Sequence, residues 1–257
     1  MLKDISFSIE PGEVHALLGE NGAGKSTLLN ILHGIYTEYE GDVELFGQKV
    51  HFKNPNDAIM NGKISKVHQE TNVVKDLSVG ENVALGHEPS KAGFVSRKKL
   101  NQAVDTILEQ LGCSFRSETK AYQLSAGEMQ MLAIARALYY DSKVISLDEP
   151  TSSLSIKETE NLFNVIRELK KRGITILYVS HRLEEIFQIC DRATILRDGM
   201  LIATLDVDKT NRAELIRSMV GRDVDALANR TKPCMATDEV ILKVEDFSGE
   251  KFSHISF

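Results

Sequence analysis

"VHALLGENGAGKSTLLNILHG" (residues 14–34) decides how the rest of this chain is read. It opens on a short apolar run, "VHALLG", of the kind that buried parallel strands show. It closes on "GKSTLLNILHG", where Leu28, Leu29, Ile31 and Leu32 are apolar and Gly34 supplies a stop, as in a helix. Between them "GENGAGKST" fits the pattern G-x-x-x-x-G-K-[ST] at Gly19, Gly24, Lys25 and Ser26. The glycines let backbone N–H groups curl around phosphate oxygens. The helix that follows presents the positive end of its dipole. Lys25 is then the candidate for the β- and γ-phosphates and Ser26 for Mg²⁺, with Asn21, Gly22 and Thr27 completing the cradle. The bland alternative is a glycine-rich turn without nucleotide, and the flanking strand and helix argue against it.

Moving outward, "GDVELFGQKV" (41–50) alternates around a Gly turn and reads as a hairpin. Residues 78–140 differ in texture. "SVGENVALG", "SRKKLNQAVDTILEQLG" and "SAGEMQMLAIARALYY" all read as helices opening on a Ser cap. Then strand and helix alternate: "KVISL", "SIKETENLFNVIRELKKRG" closed by Gly173, "ITILYVS", "RLEEIFQIC". "RATILRDGMLIATL" is a hairpin turning at Asp198-Gly199. Alternating elements imply a mainly parallel sheet wrapped by helices, with 78–140 as a helical insertion. The basic run Arg167, Lys170, Lys171 and Arg172 ends its helix and reads as a solvated face complementing the dipole.

The 257 residues, 42% hydrophobic and 26% charged, suit a soluble globular chain. The formal charge of −6 makes nucleic acid a poor partner. Cys113, Cys190 and Cys234 are widely spaced, which argues against both a disulfide framework and a zinc site. No apolar run approaches the ~20 residues that span a bilayer. The expectation is a cytosolic protein whose membrane role, if any, runs through a partner.

Two more stretches carry chemistry. "KVISLDEP" (143–150) is a strand ending in Asp148-Glu149, where a Mg²⁺ partner belongs beside a phosphate loop. Glu149 can polarise an attacking water, a task worth about 10²–10⁴-fold. "YQLSAGEMQ" (122–130) precedes it. Taken alone, "SAGE" is a capping box.

In the order phosphate loop, "LSAGE", Asp148-Glu149, the chain resembles the ATP-binding cassette (ABC) ATPases. "LSAGE" is similar to their LSGGQ signature, matching at Ser125 and Gly127 and departing at Ala126 and Glu128. The resemblance implies that this helix start faces the γ-phosphate held by an opposite cassette. Gln69 in "KVHQE" resembles the Q-loop glutamine that touches Mg²⁺ and the membrane partner, and His181 in "LYVSHRLEE" resembles the switch histidine of the γ-phosphate. "SSLS" (152–155) resembles the D-loop, with Ser155 where Asp is usual; the remaining histidines read as structural. The implied fold is α/β: a P-loop NTPase with a RecA-like, mainly parallel sheet, an N-terminal antiparallel β subdomain and the helical insertion, about 76–140.

Within the family, "GIYTEYEGDVELFGQKVHFKNPNDAI", "TNVVKDLSVGENVALG" and "MVGRDV" look like the monosaccharide-import cassettes with two ATPase units per polypeptide. That implies ATP and Mg²⁺, membrane permease subunits, a sugar-binding protein outside the membrane, a second cassette, and a place on the inner face of the cell membrane. The resemblance covers residues 1–221. Residues 222–238 read as a linker, and 239–257 as the start of a second cassette. There "KFSHISF" echoes "LKDISF", so the first cassette reads as short of its opening strand and adenine-stacking aromatic. The 257-residue chain alone is accordingly expected to bind ATP weakly.

Three alternatives fit the chain less well. Ribosome-acting cassette proteins carry a longer, charged, helical connector. DNA-repair cassette proteins carry long coiled coils, and no sustained heptads occur here. A P-loop small-molecule kinase would lack the LSxG helix.

Overall fold

The structure is a computed structural model that describes residues 2–68, 72–91, 94–221, 242–249 and 252–256. The chain divides into two compact units, Met1–Gly221 and Arg222–Phe257. In chain order the first unit contains β1 (Val14–Leu18), α1 (Lys25–Leu32), β2 (Val43–Leu45), β3 (Gln48–Val50), α2 (Pro55–Met60), β4 (Ile64–Val67) and α3 (Val79–Val83). It continues with β5 (Ser90–Lys91), β6 (Phe94–Val95), α4 (Arg97–Gln110), α5 (Ala126–Tyr139), β7 (Val144–Asp148) and α6 (Ile156–Lys171). β8 (Thr175–Val179), α7 (Leu183–Ile189), β9 (Arg192–Arg197), β10 (Met200–Asp206) and α8 (Arg212–Val220) complete it.

A six-stranded sheet runs in the order β10-β9-β1-β8-β7-β4. Every neighbouring pair is parallel except β10 with β9. β1 and β8 are buried along their whole length, as continuous apolar runs in a doubly covered sheet must be. Their side chains alternate between faces. Ala16, Leu18, Ile176 and Tyr178 join the larger core with Leu132, Phe163 and Ile166. Leu17, Leu177 and Val179 join Leu29 of α1 and Leu196 in a second one. The expected mainly parallel α/β core is what folds.

Both expected hairpins form. Phe46-Gly47 and Asp198-Gly199 turn them with positive φ at both positions, the type I′ geometry that suits a twisted two-strand ribbon. Of an antiparallel subdomain, the described residues hold the separate two-stranded sheet of β2 and β3. Lys3 makes a lone parallel bridge to Met200. Helices α3, α4 and α5 build the helical block. Ser78 and Ser125 cap α3 and α5 with full capping boxes, closed by Glu81 and Glu128. Ser96 takes the cap position of α4 but makes no side-chain cap bond. The basic end of α6 is paired: Lys171 lies 2.7 Å from Glu168 and Lys170 is 2.5 Å from Asp191.

The second unit contributes an antiparallel hairpin of β11 (Phe247–Gly249) and β12 (Phe252–Ile255). The linker expected over 222–238 lies outside the described residues, as does Cys234.

Candidate functional site

The candidate residues gather at the C-terminal ends of neighbouring parallel strands, the edge where open α/β sheets bind ligands. β1 runs into the Gly19 loop, β7 ends on Asp148, and β8 is followed by His181. Gln69 would follow β4 and lies outside the described residues.

The loop from Gly19 to Gly24 is held by residues only glycine can supply. A Cβ on Gly19 would stand 2.3 Å from the Leu196 carbonyl oxygen, at φ +150°. Gly24 caps α1 at φ 106°, without a side-chain hydrogen bond to the helix and with no acidic residue in the first turn. The Lys25 ammonium turns back over the loop, donating to the Gly19 carbonyl at 2.7 Å and the Glu20 carbonyl at 3.1 Å. Burial lowers the Lys25 pKa from its ordinary value, opposed by the charges of Glu149 and Asp148. An uncapped helix start beside a lysine is donor chemistry that fits a phosphate. Ser26 is exposed, and Asp148 stands at its strand tip. Among the described residues no three His, Cys, Asp or Glu side chains could cage a metal. A hydroxyl and one carboxylate instead suit a Mg²⁺ that keeps phosphate and water ligands.

Asp148 and Glu149 diverge at the strand end. Asp148 Oδ2 lies 3.1 Å from Lys66 Nζ. Glu149 has left the strand with φ 46°, a left-handed backbone that a non-glycine residue adopts at a cost. Its N–H donates to Val179 O at 2.9 Å, and its Oε1 lies 3.3 Å from His181 Nδ1. Sequence reasoning named both residues but missed what positions them. Buried Glu185 accepts from Thr151 Oγ1 (2.7 Å) just after Glu149-Pro150. It also accepts from Tyr178 Oη and Ser180 Oγ (both 2.8 Å) just before His181. One carboxylate thus ties the two loops together.

Ser125 and Gly127 stand at the start of α5. Ser125 Oγ accepts from Glu128 N at 3.2 Å while Ser125 N donates to Glu128 Oε2 at 2.9 Å. Glu158 of α6 adds a second carboxylate. Its Oε1 accepts from Ser125 Oγ and Gly127 N, each at 3.2 Å, and its Oε2 accepts from Ser155 Oγ at 2.7 Å and Ser155 N at 3.0 Å. Among the described residues no hydrogen bond or ion pair joins Ser125 or Gly127 to Lys25, Asp148, Glu149 or His181. The pattern S-x-x-E at Ser155 announces the α6 cap, but nothing local announces the reach to Gly127.

Two other histidines are inside the fold. His15 has Nδ1 2.7 Å from Glu13 and Nε2 2.7 Å from Thr194. His33, at the C-cap of α1, has Nε2 2.9 Å from Ser146 Oγ. Burial, then the Lys66 and His68 charges, push its pKa down to about 3. Among the described residues no helix is long and apolar enough to cross a membrane.

The family model described as ABC transporter matches residues 2–152. The ribose import ATP-binding protein of Bacillus licheniformis is 44% identical over 259 residues, covering 100% of this chain and 52% of its own length. The galactose/methyl galactoside import ATP-binding protein of Pasteurella multocida is 46% identical over 248 residues, 96% of this chain and 48% of its own. The chain therefore spans about half the length of the relatives it matches. Among solved structures, the ADP conformation of MJ1267, an ATP-binding cassette of an ABC transporter, superposes with TM-score 0.73 at 27% identity, over 89% of this chain and 92% of that one. The cbiO1 structure from Clostridium perfringens, part of an ABC transporter complex, gives 0.71 at 25% identity over 88% and 92%.

Proposed function

This chain belongs to the ABC transporter family, and from that premise we propose that it binds MgATP and hydrolyses it to drive import of a monosaccharide. The substrate class follows the names of its relatives, which are ribose and galactose import proteins. The partners in this reading are membrane permease subunits, a sugar-binding protein beyond them, and a second cassette that closes on the nucleotide. The working place is the inner face of the cell membrane.

Each residue then has a task. Backbone N–H groups of Gly22, Gly24, Lys25, Ser26 and Thr27 cradle phosphate, with Gly19 and Asn21 shaping the loop. Lys25 neutralises the β- and γ-phosphates. Ser26 with Asp148 would hold Mg²⁺, joined by Gln69, and the bound ion would polarise the γ-phosphate. Glu149 takes the proton of the attacking water, and His181 orients Glu149 and the γ-phosphate. Ser125 and Gly127 serve the nucleotide of the opposite cassette. Asp148-Glu149 at a strand tip suits water as the nucleophile better than a kinase substrate.

The observation that most supports this reading is Glu149 Oε1 lying 3.3 Å from His181 Nδ1, at the ends of β7 and β8 on the side of β1 that does not face β9. Glu149→Gln keeps the shape and removes the base. In the transporter assembly it is expected to retain ATP binding while slowing hydrolysis about 10²-fold or more. Turnover within threefold of wild type would refute the assignment.

A further inference from the structure

β4 carries a side chain that no motif claims. Ile64, Ser65 and Val67 are buried, and Lys66 sits between them in register with Ser146 of β7. Its ammonium lies 3.1 Å from Asp148 Oδ2; the lysine side chain is 9% exposed and the carboxylate 22%. Among the described residues Asp148 is its one ion-pair partner. A lysine this buried needs its anion. Taking the partner away leaves an uncompensated charge, and that cost far exceeds what a surface pair yields. Asp148 is also the carboxylate assigned above to Mg²⁺. Two cations therefore share one acid at a strand tip.

We propose that Lys66 is a positioning residue that competes with Mg²⁺ for Asp148. The inference rests on the MgATP reading given above. With no metal bound, Lys66 holds the carboxylate in place. With metal bound it acts in the opposite sense: any pull of Mg²⁺ on Asp148 strips the buried ammonium of its partner. Lys66 thus weakens the hold of Asp148 on Mg²⁺, which eases release of the metal after hydrolysis.

The test is a MgCl₂ titration of the 257-residue chain in the presence of trinitrophenyl-ATP, read by nucleotide fluorescence. Lys66→Met keeps length and removes charge; it is expected to lower the half-saturating Mg²⁺ about tenfold. Lys66→Arg should stay within about twofold of wild type. In the double variant Lys66→Met/Asp148→Asn the gain should vanish, because the competition is over Asp148. If Lys66→Met does not fold, Lys66→Gln carries the same expectation. An unchanged or raised half-saturation in a variant that still binds nucleotide would overturn the inference alone, as would a gain that persists without Asp148. Absence of any Mg²⁺-dependent binding by the wild-type chain would overturn it together with the MgATP reading.

Discussion

The N-termini of α1 and α5 are both assigned to phosphate, yet they are built in opposite ways. α1 starts on a left-handed glycine with no side-chain cap and no acid in its first turn. α5 starts on a capping box, and a second carboxylate, Glu158, sits on its Gly127 N–H. The difference is one of readiness. α1 leaves its donors without side-chain partners, at a cost in helix stability that an N-cap would have offset. α5 satisfies its Gly127 and Glu128 N–H groups within the chain, so a phosphate taking the Gly127 N–H must displace Glu158. Displacing Glu158 disturbs Ser155 as well, because the same carboxylate accepts from both. Ser155 stands where the resemblance puts the D-loop Asp, and Glu158 joins that position to the start of α5.

The comparison breaks first at the α1 loop. Gly19→Ala drives a Cβ to 2.3 Å from a backbone oxygen at positive φ. The expected loss is about 3 kcal/mol, read as a shifted urea midpoint. The far end of α1 gives the next effect. His33 is neutral in the fold because its pKa falls from 6.5 to about 3. The unfolded chain therefore binds the extra proton below pH 6.5. Stability is full above that value and falls by about 1 kcal/mol per pH unit down to about pH 3. A His33→Gln variant should lose that slope in a melting series against pH.

At α5 the expected effects are smaller. Glu158→Ala should cost about 1 kcal/mol and speed hydrogen exchange of the Gly127 amide, while leaving Lys25-dependent nucleotide binding intact. An unchanged Gly127 exchange rate would mean that α5 is as open as α1. Ser155→Ala removes the two hydroxyl bonds between Ser155 and Glu158 at the start of α6 and keeps the Glu158 contact to α5. A loss of about 0.5 kcal/mol is expected, with Gly127 protection retained.

Local pattern made one side of this comparison legible and hid the other. The Gly19–Thr27 loop, the Asp148-Glu149 strand tip and both hairpin turns are short-range signals, since each depends on residues adjacent in sequence. The Ser125 and Ser155 caps belong with them, because S-x-x-E shows a box directly. Asn54-Pro55, which opens α2 with an Asn cap and a proline in the first turn, left an equally plain signal that the pattern reading passed over. Strand order could not be read, because nothing in "ISKV" says that it pairs with β7. Only that pairing sets Lys66 against Asp148. Glu185 and Glu158 were hidden for the same reason. Each sits on an ordinary helix face and acquires its role from a partner loop more than 25 residues away.

The central claim is that the α1 end, with Lys25, is where this chain takes hold of ATP. The most direct measurement is a calorimetric titration of MgATP into the wild-type chain and into Lys25→Ala. The account predicts saturable binding by the wild type and an affinity at least about 100-fold weaker in the variant. Affinity within threefold of wild type in Lys25→Ala, or no saturable binding by the wild type, would contradict it.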